Sequence, residues 1–458
     1  MAENSLLKYM FRDGAEIDPD QKFGLSRKAR MRRLSEIIGL MRKHRVHEGL
    51  SPNQLRNFLI DLGPSFIKIG QMLSLRSEIL PQAYCDALSD LQMDCDPMPF
   101  EDTLAALEDV YGSRFHEIFR KIGPTPLGSA SLAQVHKAEL SNGDVVAVKV
   151  QRPGVRAVMA QDIDVMRSVA KHISRFMKDT QMLDLRDVVE ELWATFLEET
   201  DFIKEANNLQ EFAELNKDVV FISCPKPYME YCTESVLVME YVEGISIKDT
   251  EKLKEYGYDL DEIGLKVMDN YATQILEHGF FHADPHPGNL FVHEGKVVYL
   301  DLGIMGRLSV RERIGFSKII EAVGAQNASD LKDALISFSV EHDMEGIDHA
   351  RLLAELDNVL KSYCSTNVSD IDVGALLSDI MTLTRQCKVT LPASVTAVSR
   401  GIVTMEGSLA EYLANTNMIG IINGHIMRTK NVQEEFEHRI KSTLLSLDST
   451  MNSMLKTF

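Results

Sequence analysis

The segment 279–307 limits the possible folds and functions of this chain more than any other, because it places oxygen-bearing side chains beside a tight turn. Two short apolar runs flank a polar stretch at 294–296, and this pattern predicts a β-hairpin. Asp284 and Asn289 precede the first strand, and Asp301 ends the second. The three side chains are therefore expected to converge at one end of the hairpin. Carboxylate and amide oxygens are the ligands that Mg²⁺ prefers.

Four residues separate Asp284 from Asn289, and Asp301 is followed by Leu-Gly. This is the spacing of a kinase catalytic loop and of the metal-binding Asp that follows it. We therefore expect Asn289 and Asp301 to hold Mg²⁺, and Asp284 to act as the base or to position the nucleophile. The segment predicts phosphoryl chemistry.

Upstream, the pattern changes to strands from Pro126, and Asn142-Gly143 between apolar runs predicts a hairpin. Its first strand follows the kinase phosphate-loop template with alanines in place of two glycines, and its second strand carries Val-Ala-Val-Lys. A later apolar strand, 236–244, ends in Gly and is expected to form the hinge that meets the adenine. The predicted nucleotide-binding residues are Gly128, Ala130, Ser131, Ala133, Val135, Lys149, Glu240 and Val242.

Between these strands lies a long helical insertion whose end is rich in acids. The stretch 198–208 is predicted as one helix, with Asp201 and Glu205 one turn apart and Glu199 two residues before Asp201. A kinase needs one helical Glu to hold its strand lysine. We expect Glu205 to hold Lys149 as part of the catalytic set, with Glu199 as the second choice.

The stretch 26–45 carries eight Lys or Arg residues against a single acid, Glu36. An apolar stripe at helical spacing runs through it, so an amphipathic basic helix is predicted. The stripe consists of Met31, Leu34, Ile38 and Met41. Two interpretations stay open: a helix packed on its own domain, and a helix drawn to an anionic lipid surface.

Two further helices are predicted to open at Pro52 and Pro64. On the second, Lys68 and Gln71 share a face among apolar neighbours. A lysine in such surroundings needs a carboxylate partner, unless its ammonium group extends to solvent. Glu199 and Asp201 supply more carboxylates than Lys149 can use. We expect Lys68 to pair with one of them, and expect Lys68 and Gln71 to lie against the catalytic cleft and exclude protein substrates.

Composition excludes some classes of function. The net charge of -19 and the pI near 5.2 argue against a nucleic-acid partner. Six cysteines without a C-x-x-C pair fit a reducing, cytosolic location. No apolar run reaches the roughly 18 residues of a spanning helix, so any membrane contact is expected to be peripheral. Residues 308–458 are predicted to be helical, and the last apolar stripe, from Phe436 to Met454, is interpreted as core or as a partner surface.

Together these motifs resemble the UbiB/AarF family of atypical kinase-like proteins, related to the coenzyme Q kinases, over roughly residues 50–410. The resemblance implies an α+β, protein-kinase-like bilobal fold with a β-rich N-lobe, a helical C-lobe, an N-terminal helical extension and a helical insertion. The matching motifs are K-x-G-Q (Lys68, Gly70, Gln71), the alanine-rich loop (128–136), the lysine strand (Lys149), E-x-D (Glu199, Asp201), H-A-D-P-H-P-G-N (282–289) and D-L-G (301–303).

The resemblance also implies an activity and a setting. The expected domains are a basic and K-x-G-Q extension (1–100), an N-lobe with the insertion (101–243) and a C-lobe (244–458). The family implies binding of ATP or ADP with Mg²⁺, an ATPase or small-molecule kinase activity, and support of isoprenoid quinone synthesis at membranes. Many members end in one or two hydrophobic helices, which are absent from this sequence, so the chain is expected to be either a soluble version or a shortened one. The expected location is the cytoplasm, and any contact with the membrane is expected to be peripheral.

Three classes of function are consistent with these motifs. An active phosphotransferase or ATPase acting on a small or lipid-borne acceptor is favoured, and the lack of an A-P-E triplet argues against a loop-switched protein kinase. A nucleotide-binding pseudokinase that scaffolds lipid-modifying enzymes is the alternative. A metal hydrolase built on His282, Asp284 and His286 is the third, although prolines at 285 and 287 weigh against it.

Overall fold

The computed structural model of the protein describes residues 27–74, 80–89, 91, 97–176, 185–338, 347–364, 373–387, 389, 391–409, 412 and 420–429. The chain divides into two compact units. The first contains Met1–Gln210 and Pro225–Val242, and the second contains Glu211–Cys224 and Glu243–Phe458. The predicted helix through Phe436–Met454 lies outside the described residues, and the predicted domain limits stay predictions.

The helices are α1 (Arg27–Lys43), α2 (Pro52–Leu62), α3 (Pro64–Ser74), α4 (Gln82–Ser89), α5 (Phe100–Tyr111), α6 (Phe115–Ile118), α7 (Val155–Phe176), α8 (Leu185–Glu199), α9 (Phe202–Leu215), α10 (Thr250–Glu255), α11 (Leu260–Thr273), α12 (Val310–Gly324), α13 (Ala328–Phe338), α14 (His349–Cys364), α15 (Val373–Gln386), α16 (Ala393–Leu409) and α17 (420–429). The strands are β1 (Phe119–Ser129), β2 (Ala133–Leu140), β3 (Val145–Gln151), β4 (Ile222–Ser223), β5 (Val236–Glu240), β6 (Ile245–Ser246), β7 (Phe280–His282), β8 (Leu290–His293), β9 (Lys296–Tyr299) and β10 (Met305–Arg307).

In the first unit, an antiparallel sheet has the strand order β1-β2-β3-β5. The hairpin predicted at Asn142-Gly143 is confirmed, with Gly143 at a φ of 95°. Strand β1, however, begins at Phe119 rather than at Pro126. Proline is rare inside a central strand, but β1 lies at the edge of the sheet, where proline is tolerated. The strand therefore continues through Pro124 and Pro126, with a change of register between Ile122 and Pro126.

One face of this sheet is apolar and packs against α5. Val146, Val148 and Val150 alternate along β3 and are buried with Leu107 of α5. Successive strand side chains point to opposite faces. Lys149, between Val148 and Val150, therefore projects from the other face of the sheet.

A second core joins α1–α4 to the insertion helices α7 and α8. Leu34 and Ile37 of α1 are buried in it, whereas Met41 is 40% exposed. The predicted apolar stripe therefore includes Met41, which lies outside the core, and omits Ile37, which lies in it. Arg33 strengthens the attachment, because its guanidinium pairs with the buried carboxylate of Asp162 at 2.7 Å.

The predicted single helix 198–208 is interrupted at Thr200 and Asp201, which separate α8 from α9. The carboxylate of Asp201 accepts a hydrogen bond from the backbone N–H of Ile203 at 3.1 Å. A carboxylate that satisfies an otherwise unpaired N–H at a helix start favours a new helix there. This contact explains why one helix ends and another begins at this point.

In the second unit, a sheet has the order β4-β9-β8-β6, and β7 pairs antiparallel with β10. The hairpin predicted around 294–296 is confirmed as β8–β9. Its two turn residues, Glu294 and Gly295, have φ values of 48° and 77°, as a two-residue turn of type I′ requires. From α12 onward, the secondary structure of the described residues is helical.

Candidate functional site

In the first unit, the ammonium group of Lys149 lies 2.9 and 2.8 Å from the two carboxylate oxygens of Glu205. Glu205 is 3% exposed and stands in the first turn of α9, where the helix dipole favours a negative charge. The predicted contact between the two residues is therefore present, and Glu199 does not take that place. The pair thus fixes the Lys149 ammonium group on the face of the sheet opposite Val148 and Val150.

The alanine-rich loop lies between β1 and β2, where the Ala130 N–H donates to the Ala133 carbonyl at 2.8 Å. Arg152 holds this loop from the end of β3. Its Nε donates to the Ala130 carbonyl at 2.9 Å, and its Nη2 donates to Ser129 Oγ at 2.8 Å. Arg152 was not predicted, because nothing in its local sequence marks it as a partner of the loop.

The remaining predicted nucleotide-binding residues also lie along this sheet. Ser131 and Ala133 are buried, Gly128 and Ala130 are exposed, and Val135 is half-buried on β2. Glu240 ends β5, where its carboxylate accepts the Lys226 N–H at 3.3 Å, and half-buried Val242 follows two residues later. Their contact with a nucleotide stays a prediction. The first unit thus carries every residue predicted to bind the nucleotide.

The K-x-G-Q motif lies on α3, and the lysine makes the ion pair that the sequence predicts. Lys68 Nζ is 2.5 Å from the carboxylate of Glu199, and both side chains are largely buried. Gln71 donates to the backbone carbonyl of Leu91 at 3.0 Å. At Gly70, a β-carbon would overlap the side chains of Leu91 and Leu59. Lys68 therefore pairs within the unit, and Gln71 and Gly70 fix α3 against its neighbours.

In the second unit, the β8–β9 hairpin positions the predicted metal ligands. Leu290 pairs with Tyr299, and the Leu300 N–H donates to the Asn289 carbonyl at 2.8 Å. Asn289 and Asp301 thus flank the same end of one two-stranded ladder. Strand partners lie about 5 Å apart, so the two side chains start from neighbouring positions. An amide oxygen and a carboxylate so placed fit Mg²⁺, which prefers hard oxygen ligands.

Two histidines line the segment that leads to this hairpin. Burial lowers the pKa of His282 and of His286, while the carboxylates of Asp284 and Asp301 oppose that shift in both. Both acids therefore lie near both imidazoles. His282 Nδ1 accepts the Asp284 N–H at 3.2 Å, and His286 Nδ1 accepts the Gly288 N–H at 2.9 Å.

These hydrogen bonds have a consequence for the metal-hydrolase hypothesis. Each imidazole uses its Nδ1 to order the backbone of the loop. Within the part of the chain that the structure describes, no group of three or more His, Cys, Asp or Glu side chains is arranged to hold a metal ion. The geometry thus gives the hydrolase hypothesis no support.

A chain of buried amides holds the same segment from behind. Asn270 donates to Asn216 at 2.6 Å, Gln274 donates to Asn270 at 2.8 Å, and the His282 N–H donates to Gln274 at 3.1 Å. Gln274 begins a five-residue π-helical turn that follows α11. None of these three amide residues was predicted to belong to the site. Two amides one turn apart on an otherwise apolar helical face were the signal that could have found them.

The ABC1 atypical kinase-like domain matches residues 90–335, more than half of the chain. The chain belongs to the UbiB/AarF family. Its fold is accordingly the protein-kinase-like α+β fold that the motifs predicted. The matched range includes Lys149, Glu205, Asp284, Asn289 and Asp301, and it ends before α14.

Two known proteins are similar to this chain over much of its length. A Clostridium pasteurianum protein from the hydrogenase 1 5′ region is 34% identical over 372 residues, which cover 81% of this chain and 70% of that protein. The Arabidopsis thaliana chloroplastic protein ACTIVITY OF BC1 COMPLEX KINASE 8 is 37% identical over 291 residues, which cover 62% of this chain but 38% of the relative. The chain thus spans well under half of that longer relative.

Among solved structures, the Mycobacterium tuberculosis Rv3197–erythromycin complex aligns with a TM-score of 0.55 at 21% identity, and covers 86% of this chain and 97% of that one. This likeness concerns the fold alone. Among the described residues, no helix has both the length and the apolar character needed to cross a membrane.

Proposed function

We propose that this chain binds a magnesium complex of ATP or ADP and uses it as an atypical kinase or ATPase. The observation that carries the proposal is the contact of Lys149 with both carboxylate oxygens of Glu205. A kinase active site requires a strand lysine held by a helical glutamate. A lysine on the solvated surface would not be expected to contact both oxygens of a buried carboxylate.

Each residue has a role that its surroundings support. Lys149 would contact the nucleotide phosphates, and the loop from Gly128 to Ala133 would cover them. Asn289 and Asp301 would hold Mg²⁺, which when bound neutralises phosphate charge. Asp284 would accept the proton of the attacking hydroxyl or water, or would orient it.

The acceptor proposed is a small or lipid-borne hydroxyl, and the pathway proposed is isoprenoid quinone or related prenyl-lipid synthesis. Membership of the UbiB/AarF family supports both. A peripheral contact of α1 with an anionic membrane is part of the proposal, since Lys43 at its end and Arg45 just after it are mostly exposed. Their ion pairs with Asp61 and Glu48 and the burial of Leu34 and Ile37 limit that contact to the outer face of the helix.

The test is the thermal stabilisation of the protein by ATP, with and without Mg²⁺. Asp301→Asn should lose most of the Mg²⁺-dependent part and most of the turnover, because the amide that replaces the carboxylate carries no charge. Asp333→Asn, which changes a mostly exposed aspartate of the same unit, is the control and should behave like the wild type. Equal stabilisation of the wild type and Asp301→Asn by Mg-ATP would contradict the metal assignment.

Turnover separates the two functional classes. ATP hydrolysis that rises with anionic vesicles and a prenylated phenol is expected for the enzyme of a lipid pathway. Tight nucleotide binding without any turnover would instead identify a pseudokinase scaffold. Efficient phosphorylation of peptides by the unmutated protein would contradict the proposed exclusion of protein substrates.

A further inference from the structure

The helix α16 lies beyond the matched range of residues 90–335 and yet packs within the second unit against β10, the strand that pairs with β7. Gly401 of this helix faces Tyr271 of α11 and the backbone of His282. A β-carbon built on Gly401 would overlap the Tyr271 hydroxyl and would lie 3.3 Å from the His282 carbonyl oxygen. The missing side chain therefore leaves the space that the hydroxyl occupies.

The Tyr271 hydroxyl uses this space to make a specific contact. It donates a hydrogen bond to the His282 carbonyl at 2.9 Å. Tyr271 is fully buried, and burial raises the pKa of its phenol well above the ordinary value. The group thus keeps its proton and acts as a donor. Since the His282 N–H is held by Gln274, both sides of this peptide segment are fixed from α11 and its π-helical extension.

We propose that Gly401 and Tyr271 are positioning residues for the catalytic segment. In this arrangement, packing against Gly401 of α16 fixes the position of the Tyr271 hydroxyl. The hydroxyl in turn fixes the position of the His282 carbonyl, two residues before Asp284. The helical region that follows the matched domain is then part of the catalytic apparatus. The effect on catalysis rests on the proposed function, whereas the effect on the segment itself does not.

The space around the Tyr271 side chain is restricted. Tyr271 has no room to turn aside, because its ring is completely buried and interiors are close-packed. In Gly401→Ala, either α16 moves outward or the hydroxyl leaves the His282 carbonyl. If the hydroxyl moves, a buried carbonyl loses its partner; if α16 moves, the packing that holds the hydroxyl against that carbonyl is lost. Either change loosens the segment 280–289.

The experiment uses four variants of the full chain. Gly401→Ala introduces the methyl group, and Tyr271→Phe removes the hydroxyl with which it collides. The double variant has room for the methyl group but lacks the hydrogen bond. Gly407→Ala is the matched control, because it makes the same substitution on the same helix at a position with no atom within 4 Å of the new carbon. The readouts are amide hydrogen exchange in peptides covering 280–289, the Tm, and kcat and KM for Mg-ATP.

We expect exchange in 280–289 to become about tenfold faster in Gly401→Ala and in Tyr271→Phe, and to stay unchanged in Gly407→Ala. We expect kcat to fall about tenfold in the first two variants, with KM for nucleotide within about twofold of wild type. The Tm of the double variant should exceed that of Gly401→Ala, because the second substitution removes the collision. Its kcat should match that of Tyr271→Phe.

Two results would overturn the inference. One is exchange and kcat in Gly401→Ala equal to those of Gly407→Ala, and the other is strictly additive effects in the double variant. If Gly401→Ala does not fold, Tyr271→Phe decides, since wild-type exchange in that variant rules out the proposed positioning role. If the wild type neither binds nor turns over nucleotide, the proposed function fails, and the exchange data alone test the positioning.

Discussion

At the scale of single residues, the chain places charged pairs where water is nearly excluded. Lys68 and Glu199 have side chains that are 15% and 9% exposed. The removal of one partner from such a pair leaves a desolvated charge, which costs far more than the pair itself contributes. Next to Glu199, Glu198 forms an exposed pair with Lys204 at 3.5 Å, and these side chains are 67% and 52% exposed.

The two pairs give a matched prediction. We expect Lys68→Ala to lower the free energy of unfolding by about 3 kcal/mol and Lys204→Ala by at most about 0.5 kcal/mol. The double variant Lys68→Ala/Glu199→Gln should regain part of the loss, because the uncompensated carboxylate is gone. Urea unfolding of each variant measures these differences. Equal losses in the two lysine variants would show that burial of the Lys68 pair has no energetic consequence.

Residues differ in how far sequence alone predicts their contacts. The Lys149–Glu205 contact follows from a strand lysine and a helical acid of the required type, both recognisable locally. Tyr271 and Gly401 carry no such signal, because their contact depends on how two distant helices pack. Arg152 is a similar case, since its partners lie on a loop more than twenty residues earlier.

At the scale of elements, α17 is fastened by a histidine held between two acids. His425 lies 3.1 Å from Asp269 and 2.8 Å from Glu277, and both acids belong to α11 and its π-helical extension. Hydrogen bonds to Asp269 and Glu277 raise the pKa of His425 to about 9, against burial that opposes the shift. The hydrogen bond from His425 in turn lowers the pKa of each acid.

The sign of the pH dependence follows from these shifts. Because the folded pKa of His425 exceeds its unfolded value, its contribution is complete below about pH 6.5 and is lost as the pH rises through about 9. The shift corresponds to about 2 kcal/mol after solvent screening at the half-exposed acids. We expect unfolding free energies measured from pH 6.5 to 9.5 to decline, and to do so less in His425→Gln. His349→Gln, at an exposed site, is the control, and an identical decline in all three proteins would contradict the assignment.

Elements were predictable where local chemistry determines them. The β8–β9 and β2–β3 hairpins follow from their turn residues, and α2 and α3 open at the prolines that marked them. The break between α8 and α9 was not predicted, because the acids around Asp201 also suit a helix interior. The side of α1 that faces the core depends on α2, α3 and α7, and helical periodicity alone did not choose between Ile37 and Met41.

At the scale of the whole molecule, the net charge of -19 acts on every part of the fold. Like charges repel in the compact state, and salt screens this repulsion. We expect the Tm at pH 7.5 to rise by about 2 °C or more between 20 and 200 mM NaCl. At pH 5.2, near the pI, the same change in salt should have a much smaller effect. A Tm that falls with salt at pH 7.5 would show that screening weakens local ion pairs more than it relieves the repulsion.

The contact between Tyr271 and Gly401 also has a consequence for the timing of synthesis. Gly401 follows Tyr271 by 130 residues, and a ribosome adds about 5–20 residues per second. The last strand around Asp284, β10, ends at Arg307, 94 residues before Gly401, so these strands are complete roughly 5–19 s before α16 can reach them. During that interval the segment 280–289 of the nascent chain lacks α16, whose Gly401 packs against Tyr271. A helix of the second unit that is made later thus determines when a segment of the same unit that is made earlier takes its final position.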